Sequence, residues 1–213
     1  MHEDEKRLAA EAAAALVTHG ARVGLGTGST VAYLLPALVA RGLDLRCAAT
    51  SPATEEAARA LGLVVEPLDR LGELDIAIDG ADQIAPDGWL VKGGGAAHTR
   101  EKIVAAAARR FVVIASSEKL VERLRPPVPL ELLEFGVAWT LARLAPAALR
   151  DVPPSPDGNV IADYLGEIDD PGALSARLSS TPGVVEHGLF PPCLVHDVVV
   201  ARGRLVQWLR GGS

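Results

Sequence analysis

The amino-acid sequence predicts an α/β protein built on a mostly parallel sheet, followed by a smaller α+β unit. Through about residue 124, short apolar runs alternate with helical patterns, which is the order typical of βαβ units. The run Arg125-Pro126-Pro127-Val128-Pro129 then interrupts this alternation, and prolines clustered in this way favour a boundary. Beyond the boundary, strands and helices follow in an order that resembles a small α+β unit.

The first part of the chain supplies the parallel sheet. A helix is predicted over residues 5–18, because its many alanines have a high intrinsic helix propensity. Strands are predicted where short apolar runs stand between turn signals, at 21–25, 45–50, 63–65, 74–78 and 111–115. Helical patterns fill the intervals at 29–41, 53–61, 98–110 and 117–124. Gly62 marks the end of one of these helices, since glycine readily adopts the left-handed conformation that follows a helix.

The second part predicts strands at 128–134, 160–165 and 183–188, with helices at 136–145 and 171–180. A proline-rich turn at 153–158 separates the first helix from the second strand. The runs 194–201 and 204–209 predict a hairpin around Gly203 that returns to the first sheet. We therefore predict one domain of residues 1–125 plus 196–213 and a small domain of residues 126–195.

Composition narrows the function classes. The 213 residues, with 49% apolar residues and a net charge of −6, exclude a disordered chain and suffice for a substantial core. No apolar run reaches the length of a spanning helix, and the first residues are charged, so we expect a cytoplasmic protein without a membrane partner. A pI near 5.4 argues against a nucleic-acid partner. The two cysteines exclude a disulfide scaffold, and the histidine spacing predicts no metal site.

A glycine-rich turn follows the first predicted strand and opens the next helix: Gly24-Leu25-Gly26-Thr27-Gly28-Ser29-Thr30. Glycines let the backbone approach a ligand closely, and the free N–H groups at a helix start favour an anion. The spacing matches neither the Walker A loop nor the dinucleotide-binding pattern. The turn therefore predicts a phosphate or carboxylate site, with the alternative of an ordinary strand-to-helix turn capped by Ser29.

Two carboxylates follow the predicted strand at 74–78, in the turn Asp79-Gly80-Ala81-Asp82. Ligands of parallel sheets bind beyond the carboxyl ends of the strands. The position therefore suits acid–base chemistry or the binding of hydroxyl groups. The alternative is that both aspartates only cap a turn, which aspartate often does.

A run of three glycines follows a lysine in Lys92-Gly93-Gly94-Gly95-Ala96-Ala97. Consecutive glycines lose much conformational entropy on folding, so the run indicates a close approach of the backbone to a ligand; the alternative is a flexible linker. Glu101 follows in the first turn of the next predicted helix. It either compensates the helix dipole or, beside the glycine run, takes part in the chemistry.

Together, these motifs resemble the type A ribose-5-phosphate isomerases. The matching segments span nearly the whole chain in the order expected for that family, at residues 24–30, 79–82, 92–97, 99–102, 115–119, 157–159 and 182–190. The resemblance implies a Rossmann-like, mostly parallel sheet domain with a second, smaller α+β (ferredoxin-like) domain. It implies interconversion of D-ribose 5-phosphate and D-ribulose 5-phosphate in the non-oxidative pentose phosphate pathway, with no metal or organic cofactor. It also implies a homodimer or homotetramer.

The resemblance assigns roles to particular residues. By this resemblance, Glu101 stands at the position of the carboxylate base that moves a proton between C1 and C2 through an enediolate. The groups that bind the sugar oxygens and assist ring opening are Asp79, Asp82 and Lys92. The substrate- and phosphate-binding positions are Thr27, Gly28, Ser29, Thr30, Gly93, Gly94, Gly95, Lys119 and Lys6.

The sequence departs from the family pattern at a few positions. Gln83 stands where the family usually has Glu, which removes a charge beside the second aspartate. Ser155-Pro156 replaces a Thr-Asp pair, His98 replaces an aliphatic residue, and Pro191-Pro192-Cys193 is an unusual continuation. None of these changes removes a proposed catalytic group.

Three other functions compete with this interpretation. A sugar-phosphate deaminase or hydrolase on a similar fold shares the Gly-Ser-Thr turn but is not expected to carry the acidic turn and the Lys-Gly run. A non-catalytic sugar-phosphate sensor can lose Glu101 or Lys92, and it usually carries a DNA-binding appendage. A nucleotide-binding oxidoreductase is disfavoured because the dinucleotide spacing is absent.

Overall fold

A computed structural model describes residues 2–210 of the chain. Its helices are α1 (His2–Ala14), α2 (Val31–Val39), α3 (Pro52–Ala60), α4 (Leu68–Leu71), α5 (His98–Ala106), α6 (Val137–Arg143) and α7 (Pro171–Ser179). Its strands are β1 (Arg22–Leu25), β2 (Arg46–Ala49), β3 (Val64–Val65), β4 (Ile76–Gly80), β5 (Gln83–Ile84), β6 (Leu90–Val91), β7 (Phe111–Ser116), β8 (Val128–Leu132), β9 (Ala147–Leu149), β10 (Val160–Tyr164), β11 (Val184–His187), β12 (Leu189–Phe190), β13 (Asp197–Arg202) and β14 (Leu205–Arg210).

The first of two compact units takes in the chain up to Ala81, Arg100–Lys119 and the chain from Pro192 onward. Its sheet has the strand order β14-β13-β7-β4-β1-β2-β3, and every neighbouring pair is parallel except the hairpin of β13 and β14. From β1 the order runs outward through β2 in one direction and through β4 in the other. The carboxyl ends of β1 and β4 therefore lie at a switch point, where open α/β sheets bind ligands.

Small and branched side chains build the core beneath this sheet. The alanine-rich face of α1 and the leucine-rich face of α2 pack against the valines and isoleucines of the central strands. Ala9, Ala10 and Ala13 are fully buried, so α1 approaches the sheet closely without large side chains. This packing fixes α1 and α2 against each other and against the sheet.

The second unit comprises Asp82–Thr99 and Leu120–Pro191. Its larger sheet has the order β11-β8-β10-β9 with antiparallel neighbours, and the chain runs through it as β8-α6-β9-β10-α7-β11. That succession is the ferredoxin-like βαββαβ arrangement. A small sheet of order β12-β6-β5 lies in the same unit. The predicted α/β class, with a mostly parallel sheet and a smaller α+β unit, is confirmed.

The predicted helix at 117–124 is wrong, because only the 3-10 helix Ser117–Lys119 forms there. Leu120 instead pairs with Ile84, and the Val121 N–H donates to the Ile84 carbonyl at 3.0 Å. These bonds hold the chain extended where local propensity favours a helix. The sequence also missed short elements, namely α4, β5, β6, β9 and β12.

The two compact units differ from the predicted domain boundaries mainly at residues 82–99. The prediction places this segment in the first domain, whereas the structure groups it with the second unit. The physical reason is strand pairing, since β5 pairs with β6 and β6 pairs with β12. The longer segment of the second unit runs from Leu120 to Pro191, a few residues from the predicted limits of 126 and 195.

Among residues 2–210, no helix is both long enough and apolar enough to cross a membrane.

Candidate active site

Asp79 fastens the glycine-rich turn to the end of β4. Its Oδ1 accepts hydrogen bonds from the Thr27 N–H at 3.0 Å and the Gly80 N–H at 2.7 Å, and the residue is only 3% exposed. A Cβ on Gly26 would lie 1.9 Å from Asp79 Oδ1. Glycine is therefore required at position 26 because a buried carboxylate occupies the space of a side chain.

A cluster of buried hydroxyl groups supports the same turn. The Thr54 hydroxyl donates to the Gly26 carbonyl at 2.9 Å, and Ser51 Oγ donates to Thr54 Oγ1 at 3.1 Å. Thr27 Oγ1 lies 2.8 Å from Thr50 Oγ1. Thr50, Ser51 and Thr54 lie at the junction of β2 and α3, and their buried hydroxyls support the turn from behind.

The outer part of the turn is open to solvent. Gly28 and Ser29 are exposed, while Thr27 and Thr30 are half-buried. Thr30, and not Ser29, occupies the N-cap position of α2, and its side chain makes no capping hydrogen bond within the described part of the chain. The simple interpretation of Ser29 as a helix cap is therefore wrong, and these hydroxyls stand at the exposed start of a helix, where an anion is favoured.

Glu101 lies in the first turn of α5 and is only 4% exposed. A helix that connects two parallel strands runs back against them, so the start of α5 lies at the carboxyl edge of the sheet. Val104 follows one turn later, and a Cβ on Gly24 would lie 2.4 Å from Val104 Cγ1. Gly24 therefore lets α5 pack closely on β1, which fixes the helix that carries Glu101.

The two lysines predicted at the phosphate end occupy different elements of the first unit. Lys119 is half-buried and ends the 3-10 helix Ser117–Lys119, directly after β7. The Lys6 ammonium donates to Glu3 Oε1 at 2.6 Å, and the Tyr33 hydroxyl of α2 donates to Glu3 Oε2 at 2.7 Å. The contact with Tyr33 brings the part of α1 that carries Lys6 beside the first turn of α2.

Glu5 is a buried carboxylate that the sequence analysis did not single out. It accepts hydrogen bonds from the Gly203 N–H at 2.7 Å, the Ser117 N–H at 2.9 Å and the Ser117 hydroxyl at 2.8 Å. These bonds, that of Gly203 first, lower the pKa of Glu5 to about 2. Glu5 thereby ties α1 to the segment that leads to Lys119.

In the second unit, Asp82 and Gly94 are in direct contact. The Gly94 N–H donates to Asp82 Oδ2 at 2.9 Å, although both residues are exposed. Gly93 has a φ of +100°, and a Cβ there would lie 2.7 Å from His98 Nδ1. The glycine run is thus an ordered turn, which argues against its interpretation as a flexible linker.

Lys92 is buried, with only 2% of its surface exposed. Its Nζ lies 5.3 Å from the centroid of the Phe190 ring, a distance at which the ring face attracts a cation. The Lys92 N–H donates to the Gly188 carbonyl at 2.8 Å. The strand pairing of β6 with β12 therefore places an aromatic ring beside the lysine, a partner that the sequence analysis did not assign.

Gln83, which stands where the family usually has Glu, makes two hydrogen bonds to the main chain of Arg125. Its Nε2 donates to the Arg125 carbonyl, and its Oε1 accepts from the Arg125 N–H, each at 2.8 Å. An amide can donate and accept at once, which an ionised carboxylate cannot. This departure therefore has a structural role in fastening residue 83 to the chain before β8.

The structure joins the predicted residues in two groups. Within the first unit it joins Asp79 to the turn of Thr27, and within the second it joins Asp82 to the glycine run. The chain passes from one unit to the other at four points, and two of these are Ala81–Asp82, within the acidic turn, and Thr99–Arg100, directly before Glu101. Within the described residues, no group of three histidine, cysteine, aspartate or glutamate side chains is placed to hold a metal ion.

Comparison with known proteins agrees with this geometry. The family model of ribose 5-phosphate isomerase A (phosphoriboisomerase A) matches residues 46–204. The chain belongs to the ribose 5-phosphate isomerase A family. The ribose-5-phosphate isomerase A of Caulobacter vibrioides is 48% identical over 204 residues, which cover 88% of this chain and 90% of that protein.

Solved structures of the ribose 5-phosphate isomerase A family share the whole fold. The crystal structure of ribose 5-phosphate isomerase A from Neisseria gonorrhoeae has a TM-score of 0.95 and 30% identity, covering 100% of this chain and 99% of that one. A D-ribose-5-phosphate isomerase in complex with phospho-erythronic acid has a TM-score of 0.92 and 33% identity, covering 99% of each chain. The predicted family and the predicted class of enzyme, an isomerase, are confirmed.

Proposed function

We propose that this family member interconverts D-ribose 5-phosphate and D-ribulose 5-phosphate by proton transfer between C1 and C2 through an enediolate. The observation that carries the proposal is Glu101, a buried carboxylate in the first turn of α5. A positioned carboxylate is a suitable base for a weakly acidic C–H group. The reaction belongs to the non-oxidative pentose phosphate pathway in the cytoplasm, and its partners include neither nucleic acid nor membrane.

Each chemical step has a group in this chain. Asp79 and Asp82 bind the sugar hydroxyls and assist opening of the ring. Glu101 removes the proton from C2 of the open aldose and returns it to C1, while the proton on O2 moves to O1. Negative charge develops on the oxygens of the enediolate, and the ammonium of Lys92 stabilises it. A preorganised donor of this kind contributes about 3–4 kcal/mol to a transition state.

The phosphate group holds the reacting carbons in place. The exposed start of α2, with Thr27, Gly28, Ser29 and Thr30, presents amides and hydroxyls to it, and Lys119 and Lys6 add positive charge. Binding energy from this remote group orients C1 and C2. The related structure with phospho-erythronic acid supports this arrangement, since a sugar acid combines a phosphate with a carboxylate whose two oxygens resemble those of an enediolate.

The first test compares the wild-type protein with Glu101→Gln in a ribose 5-phosphate isomerase assay with excess chelator. We expect wild-type activity to survive the chelator, because carboxylates and a lysine perform the chemistry without a metal or organic cofactor. Loss of a general base lowers kcat by about 100- to 10,000-fold in Glu101→Gln. The matched control is Glu122→Gln, which changes an exposed glutamate and leaves the activity unchanged.

Other outcomes would overturn parts of this proposal. Wild-type activity that disappears with the chelator would indicate a metal-dependent isomerase. Full activity in Glu101→Gln would remove Glu101 from the role of the base. Binding of ribose 5-phosphate without turnover by the wild-type protein, seen as a raised melting temperature, would favour a sugar-phosphate sensor.

We infer that the protein forms a homodimer or homotetramer. The supporting observation is the apolar surface around α6, where Phe135 is 93% exposed and Trp139 is 55% exposed. Exposed aromatic side chains close together in sequence are more typical of interfaces than of free surface. We expect light scattering after size-exclusion chromatography to give a dimer or tetramer, and Phe135→Ser with Trp139→Ser to shift it toward the monomer. A wild-type monomer would contradict this inference.

A further inference from the structure

Arg150, at the end of a strand of the ferredoxin-like sheet, binds the main chain of the glycine run. It directly follows β9, and its Nη1 donates to the carbonyls of Gly93 and Gly94, each at 3.2 Å. Its remaining donors engage one carboxylate: Nε donates to Asp163 Oδ2 at 2.9 Å, and Nη2 donates to Asp163 Oδ1 at 2.5 Å. The guanidinium thus forms a bidentate ion pair with Asp163 on one side and donates to two main-chain carbonyls on the other.

The direction of these carbonyls fixes the direction of the neighbouring amides. In a planar trans peptide, the C=O of one residue and the N–H of the next point to opposite sides. The Gly93 carbonyl points to Arg150, and the Gly94 N–H accordingly points to Asp82 Oδ2, at 2.9 Å. By the same geometry, the Gly94 carbonyl on Arg150 turns the Gly95 N–H away from the guanidinium.

The chemistry of arginine is required for this arrangement. Both Arg150 and Asp163 have side chains that are 18% exposed, so the pair is largely protected from water. A lysine ammonium is a compact point charge and cannot satisfy a two-pronged carboxylate contact and two carbonyls in one plane. Glycine has no side chain that could fix these peptides from within, so their orientation depends on an external partner.

We propose that Arg150, oriented by Asp163, is a positioning residue for catalysis. It fixes the planes of two peptide groups, the one between Gly93 and Gly94 and the one between Gly94 and Gly95. This inference rests on the proposed function, because the glycine run is taken there to contact the substrate. Arg150 acts through the backbone, and it keeps Lys92 and the glycine amides in the geometry that the transition state needs. Misplacing such groups affects the chemical step more than ground-state binding.

The test compares Arg150→Met, Arg150→Lys and Asp163→Asn with a matched control, Arg177→Met. Arg177 lies in the same unit and donates to a main-chain carbonyl, that of Arg143, at 3.3 Å. We expect kcat for ribose 5-phosphate to fall about 10- to 100-fold in Arg150→Met, with a much smaller change in KM. The milder Arg150→Lys and Asp163→Asn are expected to lose less, in the same direction, and Arg177→Met is expected to keep the wild-type kcat.

Hydrogen exchange gives a second readout that a general loss of stability would not reproduce. We expect faster exchange of the Gly94 amide, which donates to Asp82, in Arg150→Met, while the amides of β7 keep their protection. An unchanged kcat in both Arg150 variants, or an equal loss in Arg177→Met, would overturn the inference while leaving the proposed function intact. An inactive wild-type protein would overturn the proposed function itself and this inference with it.

Discussion

The two glycine-rich segments of the candidate site, residues 24–30 and 92–95, are held in different ways. In the first segment, Asp79 holds the Thr27 amide, and the buried hydroxyl of Thr54 holds the Gly26 carbonyl. In the second, the exposed Asp82 holds the Gly94 amide, and Arg150 holds the carbonyls. Buried side chains therefore hold the first segment, whereas side chains closer to solvent hold the second.

This difference separates two uses of glycine. Gly26 is needed because the atoms of Asp79 fill the space of a side chain, which leaves no room for adjustment. A Cβ on Gly94 would lie 3.0 Å from Asp82 Oδ1, at the end of an exposed side chain that can move. Dense packing makes the first turn rigid, while the second depends on polar contacts that single substitutions can loosen.

The largest effect is expected from Gly26→Ala. The new methyl group would displace a carboxylate that two amides hold, so both the turn and Asp79 must shift. We expect kcat/KM to fall by at least about 100-fold, since a shift near 1 Å has that effect on reacting groups. Overpacking also lowers the free energy of unfolding by about 1–3 kcal/mol.

Gly94→Ala is the matched comparison for Gly26→Ala, measured in the same assay and by the same denaturation experiment. We expect a smaller loss of activity, because a Cβ on Gly94 would lie 3.0 Å from Asp82 Oδ1, and the exposed Asp82 side chain needs to shift by only a few tenths of an ångström. Equal losses of activity in the two variants would show that it makes no functional difference whether buried or exposed side chains hold a glycine-rich segment.

A smaller effect is expected from Thr54→Val, which keeps the shape of the side chain and removes the hydroxyl bound to the Gly26 carbonyl. An unmade buried hydrogen bond costs about 1–3 kcal/mol of stability. Because the turn binds the phosphate in the proposed function, we expect KM to rise by up to about tenfold, which corresponds to 1.4 kcal/mol. kcat should change little, and Thr54→Ser should restore the wild-type KM.

Thr181→Val is the control for Thr54→Val, since Thr181 also donates its hydroxyl to a carbonyl, that of Arg177, at 2.8 Å. A rise in KM of the same size in Thr181→Val would contradict a specific role of Thr54 in the turn.

The sequence predicted those features that depend on local pattern. The succession of strand, glycine-rich turn and helix around residues 22–39 follows from apolar runs and turn signals, and the structure has it. The positions of Asp79 near the carboxyl end of a strand and of Glu101 at the start of α5 were likewise predictable, although β4 extends through Asp79 to Gly80, beyond the predicted end at residue 78.

Features that depend on distant partners were not predictable in this way. Residue 120 leaves the predicted helix because it pairs with Ile84, and no local signal announces that bridge. Arg150 lies 56 residues beyond Gly94 in the sequence, inside a segment without any recognised motif. Among the groups that support the first turn, only Ser51 had a local signal. A serine three residues before Thr54, at the start of a helix, has the spacing of an N-cap.

Glu5→Gln is expected to have the smallest effect on activity and a defined effect on stability. The buried Glu5 accepts hydrogen bonds from Ser117 and Gly203 of the first unit, and it is not among the groups that bind or transform the sugar in the proposed function. Replacing a carboxylate that accepts three hydrogen bonds is expected to lower the free energy of unfolding at pH 7 by about 2 kcal/mol. Glu11→Gln, on the exposed face of the same helix, is the control and should change stability by less than about 0.5 kcal/mol.

The dependence on pH tests whether the charge of Glu5 is responsible. Its pKa is lowered from 4.5 to about 2 in the folded protein, so its contribution to stability is complete above about pH 4.5. That contribution is lost as the pH falls toward 2, because the unfolded chain then binds the proton more readily than the folded protein. Denaturation curves at pH 5, 4 and 3 should therefore bring the wild-type protein and Glu5→Gln steadily closer in stability. A gap that stays constant over this range would mean that the shape of the side chain, and not its charge, holds α1 to the sheet.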